Sequence, residues 1–192
     1  MPTLHFTDNA EADELLSTEP LALLIGMLLD QQVPMEWAFT APALLKERLG
    51  DRLDCGEIAA MDPEKLKAVF SERPALHRYP GSMAGRVHAL CTDLVERFDG
   101  RAEKVWKGAS TGDELLANLK SLPGFGEQKA QIFLALLAKR VGVQPEGWQQ
   151  AAGLYGESGF YSIADVDGPD ALVKVREYKR EKKAKAKAAK SA

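Results

Sequence analysis

The sequence predicts an all-α protein, a bundle of six to eight helices, and three observations carry that reading. Apolar residues recur at helical spacing through almost every segment up to Gly142. Residues that start and stop helices punctuate those segments at their ends. Strand candidates are lacking: only "GFYSIADV", residues 159–166, reads as one, and it is short. A chain of 192 residues is one medium domain or two small ones sharing a core.

Taken in order, Asp8 is placed to cap a first helix, with Glu11 in the capping-box position and "AEADELL" following. "STEPLALLIGMLLDQQ" starts a second, capped by Ser17 or Thr18, with Pro20 in its first turn. Its interior is apolar on all sides, which marks a helix buried centrally. Val33-Pro34 ends or bends it. "MEWAFTAPALLKERLG" is a third helix, with a charged last turn and Gly50 as its stop. In "CGEIAAMDPEKLKAVFSE", Asp62-Pro63 sets a cap before a proline at the first helical position. "RPALHRYPGS" is a loop marked by Pro74, Pro80 and Gly81. "SMAGRVHALCTDLVERFDG" is an amphipathic helix closed by Gly100, and "TGDELLANLKSL" is another, capped by Thr111. "EQKAQIFLALLAKRVG" is the last strongly periodic helix. Beyond it the chain is rich in Gly, Asp and aromatics without sustained periodicity. The end, residues 174–192, is helix-permissive but has no apolar face, so a disordered basic tail is expected.

Composition narrows the function classes. At 45% hydrophobic and 28% charged the chain is an ordinary globular one. There is no run of 18 apolar residues, so no membrane span is expected. No basic stretch followed by an apolar one opens the chain, so no secretory signal is read and a cytoplasmic location is expected. Cys55 and Cys91 stand apart, make neither a CxxC pair nor a disulfide framework, and fit a reduced setting. His77 and His88 have no metal-ligand spacing, and neither metal nor cofactor is expected. The net charge of −3 hides an asymmetry: residues 174–192 hold nine Lys/Arg against Glu177 and Glu181, leaving the body at −10. An acidic body with a basic tail is not the profile of a protein that binds DNA by bulk charge.

"SLPGFGEQKA", residues 121–130, supplies a different attraction. Its glycines let one helix end and the next begin within a few residues. The second helix then offers unpaired backbone N–H groups and its positive dipole end at an exposed apex. Such donors hold a nucleic-acid phosphate without basic side chains, and Lys129 adds one charge. The alternative is a plain helix–helix connection that needs glycine for steric reasons.

"LPGFGEQKA" followed by an apolar helix resembles the helix-hairpin-helix of the base-excision DNA glycosylase superfamily, whose signature is Leu-Pro-Gly-apolar-Gly, two variable residues and Thr/Lys-Ala. "LLIGMLLDQQVPMEWA" is similar to the family's opening helix with its Gln-containing turn, and "FSERPALHRYPGSMAGRVHALCTDLVERF" to its middle loop and helix. The likeness covers residues 18–146 and points to compact bacterial members of unassigned substrate. It implies a helical glycosylase-like core with a reduced second lobe built from residues 1–17 and 147–173. The implied activity is hydrolysis of the N-glycosidic bond of a damaged or mismatched base, flipped from the duplex. DNA is the implied partner and the protein a monomer, with no protein partner assigned. Leu122, Gly124, Phe125, Gly126, Gln128 and Lys129 are the implied phosphate-binding set.

The family's catalytic aspartate stands sixteen residues after the alanine that closes the motif; counted from Ala130, that place is Glu146. Its context, Pro145-Glu146-Gly147-Trp148, departs from the family pattern, and glutamate carries its charge about one bond further out. Asp165 and Asp167 are the alternative acids, or caps of a turn before Gly168-Pro169. Gln128 occupies the place of the family's nucleophilic lysine, and Lys129 lies about 100° further round the helix, so any glycosylase here is monofunctional. Gln31 and Gln32 fall where the family fills the gap left by a flipped base, or else they cap the buried helix. Trp37, Phe39, Trp148, Tyr155 and Tyr161 are stacking candidates or core, with Trp148 favoured beside Glu146. Asp30 is a pocket acid or a solvated end charge. Arg73, His77, Arg78 and Arg86 form a basic, loop-centred cluster that either meets phosphates or is solvated. The tail either tethers the protein to DNA or solubilises it. Two other functions stay open: a DNA-binding module that recognises damaged or distorted DNA without cleaving it, and a partner-binding helical scaffold.

Overall fold

A computed structural model describes residues 4–190, and the architecture is all-helical. Helix α1 (Ala10–Thr18) begins one residue later than the capping pattern suggests: Asn9, not Asp8, accepts from the Ala12 N–H at 3.0 Å. The buried Asp13 carboxylate accepts from the Phe6 and Thr7 amides at 3.1 and 3.0 Å, tying the N-terminal segment onto α1. Ser17 and Thr18 do not cap the next helix. Their hydroxyls donate back to the carbonyls of Asp13 and Glu14, and Glu19 precedes α2 (Pro20–Leu29) without a side-chain cap.

As its apolar circumference predicts, α2 is central, with every residue from Ala22 to Leu29 buried. Helix α3 (Met35–Arg48) packs on it at Gly26, where a Cβ would lie 2.8 Å from the Phe39 ring. Phe39, a stacking candidate in the sequence, is fully buried and meets Phe6 edge-on at 5.2 Å, so it is core. Helices α4 (Cys55–Ala60) and α5 (Pro63–Ser71) lie on the long α6 (Pro80–Phe98). Asp62 caps α5 as expected, accepting from the Glu64 and Lys65 amides at 2.9 and 3.1 Å. The packing of α4 on α6 brings together the two cysteines that stand apart in sequence. Contact with Cys55, and then burial, push the Cys91 thiol well above the usual thiol range.

Thr111 caps α7 (Gly112–Lys120), accepting from the Glu114 amide at 3.2 Å. A tight turn leads into α8 (Glu127–Leu136), which continues through a π turn, Leu137–Val141. Helix α9 (Trp148–Ala152) packs on both α7 and α8. Residues 159–166 form no strand; Ser162 and Asp165 make a capping box around a short 3₁₀ turn, Ile163–Asp165. Among the described residues the one strand-like pairing is an isolated parallel bridge between Thr111 and Glu146.

The terminal segments pack mainly on different helices, α1 on α2 and α3 and residues 148–166 on α7 and α8. One apolar cluster runs from Leu4 to Val175 through both. The basic tail is helical as far as Lys190, forming α10 (Pro169–Lys190). Its first turns are anchored by buried Ala171, Leu172 and Val175, too short an apolar face to read in the sequence. Lys, Ala, Glu and Arg, all good helix formers, carry the helix onward. Residues 191–192, the end of that tail, lie outside the described residues.

Candidate nucleic-acid interface

The α7–α8 turn is built around one glycine that packs and one that is open. Gly124 has φ +84°, and a Cβ there would sit 2.5 Å from Leu28 Cδ1, so the turn is pressed against the end of α2. Gly126 is the N-cap of α8 with φ −75°, no side-chain cap, and no atom within 4 Å of where its Cβ would be. The first amides of α8 have no intrahelical partner, and Gly126, Glu127 and Gln128 are exposed. Leu122 and Phe125 are buried, and the Phe125 amide is spent on the Leu122 carbonyl at 3.1 Å, so both shape the turn instead of presenting donors. Phe125 rests on Phe133, ring centroids 6.0 Å apart. Glu127 places a carboxylate in the first turn, paired with Lys120.

Lys129 points inward. Its ammonium donates to the carbonyls of Met27 and Leu28 at 2.9 and 2.8 Å, closing the C-terminal end of α2. Burial lowers its pKa from 10.5 to about 8; Asp30 opposes that, and the charges of Arg86 and Lys179 add to it. The phosphate-facing charge expected of Lys129 is thus committed to α2. Gln128 points the other way and donates to the Tyr155 hydroxyl at 2.8 Å.

The glutamine turn divides in two. Gln31 is locked: its amide nitrogen donates to the Leu28 carbonyl at 2.8 Å, its amide oxygen accepts from Arg86 at 3.2 Å, and its backbone carbonyl receives the His77 ring at 2.9 Å. Gln32 stands exposed at the tip with φ +58°, a conformation glutamine rarely adopts. Of the two, only Gln32 is free to reach outward.

His77 is fully buried and does not belong to a solvated basic cluster. Its Nδ1 accepts from the Tyr79 amide at 3.0 Å, so Nε2 carries the proton donated to Gln31. Burial holds its pKa below 6.5 against the pull of the Gln31 and Leu29 backbone, and Lys129 and Arg86 lower it further. Trp37 and Tyr79 flank the ring at 6.4 and 6.2 Å and remain 39% and 43% exposed. Arg78 lies over the Tyr79 ring, and the Trp37 indole donates to the Ala75 carbonyl. Tyr79, an exposed aromatic beside the glutamine turn, carries no signal in the sequence that would single it out.

Glu146 lies elsewhere. Its carbonyl accepts from the Gly112 amide at 2.7 Å, which fixes it at the start of α7. The glycine turn is at the other end of that nine-residue helix, about 13 Å away. The Glu146 side chain is exposed, and Trp148 sits beside it at that far end. Asp165 is buried and saturated by the Tyr161 and Ser162 amides at 2.8 and 3.1 Å and by Lys139 at 2.6 Å. Asp167 is exposed, 4.0 Å from Arg140. None of the three lines the groove next to the turn.

That groove, about 270 Å³, runs between α8 and α10. Gln128, Tyr155, Tyr161, Tyr178, Lys179 and Lys182 are among its lining residues. Tyr161 and Tyr178 meet edge-on at 5.3 Å. Asp30, its side chain 11% exposed, lies 3.6 Å from Lys179 and is neither a free end charge nor solvated. The α10 half of the groove is invisible in the sequence because its spacing carries meaning only once the tail is helical. Among the described residues, no group of three His, Cys, Asp or Glu is placed to hold a metal ion. Comparison of the chain with family models, with curated proteins and with solved structures gives no match.

Proposed function

We propose that the protein binds DNA through the α7–α8 hairpin, in the manner of the helix-hairpin-helix modules its sequence resembles, and recognises damaged or distorted sites without cleaving them. The observation that carries this reading is the uncapped N-terminus of α8 at Gly126, open to solvent in a turn that Gly124 presses against α2. Backbone amides in that position suit a phosphate oxygen and need no basic side chain, which fits an acidic body. Exposed Gln32, Trp37 and Tyr79 share the glutamine-turn side and offer polar and aromatic groups to an opened base pair.

A second reading, monofunctional base excision, is favoured by one observation: Asp30 is a largely buried carboxylate among Lys129, Arg86 and Lys179, close to the hairpin. A carboxylate there suits an oxocarbenium-like transition state, whereas Glu146 stands too far from the turn to serve one. In the family, lyase chemistry needs an amine at the place Gln128 fills; with Lys129 donating into α2, borohydride is expected to trap no covalent adduct with abasic DNA.

The test is binding to duplexes carrying uracil, hypoxanthine, alkylated or oxidised purines, or an abasic site, followed by hot alkali. Binding with no alkali-labile break supports recognition alone. A lesion-specific break that Asp30→Asn abolishes and Glu146→Gln spares establishes hydrolysis with Asp30 as the acid. Failure to bind any duplex overturns both readings.

A further inference from the structure

We propose that the groove-facing side of α10 and the N-terminal end of α8 are two walls of one cradle for the phosphodiester backbone of DNA, so that α10 is a fixed part of the binding surface and not a loose tether. The inference rests on the reading of the hairpin as a DNA site.

Three observations place α10. Buried Ala171, Leu172 and Val175 fix where the helix starts. Tyr178 against Tyr161, Arg176 paired with Glu36, and Lys179 beside Asp30 fix its rotation about its own axis. Tyr178, Lys179, Lys182, Lys183 and Ala186 then fall on one side, the side that lines the groove shared with Gln128. Lys179 and Lys183 stand one turn apart, about 6 Å along the axis.

The charge on this groove is unbalanced. Lys179, Lys182 and Lys183 face it, with Arg86 and the ammonium of Lys129 nearby. Of the acids on α10 and the elements around it, Asp30 is shared between Lys129 and Lys179, Glu36 is taken by Arg176, Glu127 by Lys120 and Asp165 by Lys139, while Glu177 and Glu181 of α10 itself do not line the groove. Among the described residues, no carboxylate pairs with Lys182 or Lys183. A polyanion that follows α10 to the open end of α8 meets lysines on one wall and backbone donors on the other. The tyrosines of the floor are compatible with a backbone whose sugars and bases lie close by.

The experiment compares two charge-matched triple variants by fluorescence anisotropy on a labelled duplex over a salt series. One removes the groove-facing charges (Lys179→Gln, Lys182→Gln, Lys183→Gln). The other removes charges that do not line the groove (Arg180→Gln, Lys185→Gln, Lys187→Gln). Glutamine keeps helix propensity, and circular dichroism checks that α10 persists. The groove-facing variant is expected to lose about tenfold or more in affinity, with a log–log salt slope shallower by about 2–3. The other variant is expected to lose less than about threefold. Equal losses overturn the cradle and leave a non-specific tether, while binding that Gly126→Ala still weakens keeps the hairpin reading intact. No duplex binding by the native protein overturns both.

Discussion

Gly124 and Gly126 sit two positions apart and answer to different constraints. A methyl at Gly124 meets Leu28 and forces a side chain into φ +84°, so Gly124→Ala is expected to cost about 1–3 kcal/mol. In a chain of this size that lowers Tm by roughly 2–10 °C in a thermal melt. Gly126 has an ordinary φ and free space, so Gly126→Ala is expected to keep Tm within about 2 °C while its methyl, standing at the amide cluster, weakens duplex binding several-fold. A Gly126→Ala protein that melts normally and binds normally removes the phosphate from the hairpin. His77 acts at the same scale through its proton. The folded ring stays neutral below pH 6.5 whereas the unfolded ring takes a proton there, so the unfolded state binds more protons and stability falls as pH drops through 6.5. Urea melts from pH 7.5 to 5 are expected to show that fall, and His77→Asn to flatten it; parallel slopes would mean that other groups carry the acid sensitivity.

At the scale of elements, Lys129 couples the hairpin to α2, since its ammonium closes the last carbonyls of one helix from the first turn of the other. Its pKa near 8 against 10.5 unfolded means that the unfolded chain binds more protons between those values. Stability from this group therefore rises from pH 8 to 10.5, by up to about 3 kcal/mol. Denaturant melts of the native protein minus those of Lys129→Met are expected to isolate that rise; identical pH profiles would show an unstrained ammonium. Most elements were legible because their ends are chemical: Asp62-Pro63 and Thr111 cap as their residue types require, and the continuous apolar surface of α2 admits no place but the centre. The turn was legible through Gly124, which contact with Leu28 and a φ of +84° both demand. The features that escaped depend on partners far away in sequence. Asp8 and Asn9 compete for one cap, and the N-terminal segment decides between them. Between Ala130 and Glu146 the helix ends at Gly142, with φ +84°, and a short loop then carries Glu146 to the Gly112 amide at the start of α7. A register taken from residue number alone therefore does not bring a carboxylate back to the turn.

For the whole molecule, the asymmetry between a −10 body and a +7 end becomes an internal fit, because α10 folds back on the acidic groups Asp30 and Glu36 beside the glutamine turn. The grip is uneven along the helix. Leu172 and Val175 join the common core, Tyr178 leans on Tyr161, and residues 180–189 are exposed. Helical hydrogen bonds without burial open at little cost, so α10 is expected to exchange its amides in two zones. Residues 173–178 should be protected with the core, and residues 182–189 at least about tenfold less. Duplex DNA is expected to slow exchange in the second zone, because phosphates seated on Lys182 and Lys183 hold the helix against its neighbours. Hydrogen exchange resolved by mass spectrometry, with and without a saturating duplex, reads both zones in one experiment. Protection that spreads along residues 182–189 on binding means that the acidic body and basic helix close on DNA as one surface. Unchanged fast exchange there, with binding intact, means that the end of α10 contributes charge alone and that the core, the hairpin and the glutamine turn do the recognising.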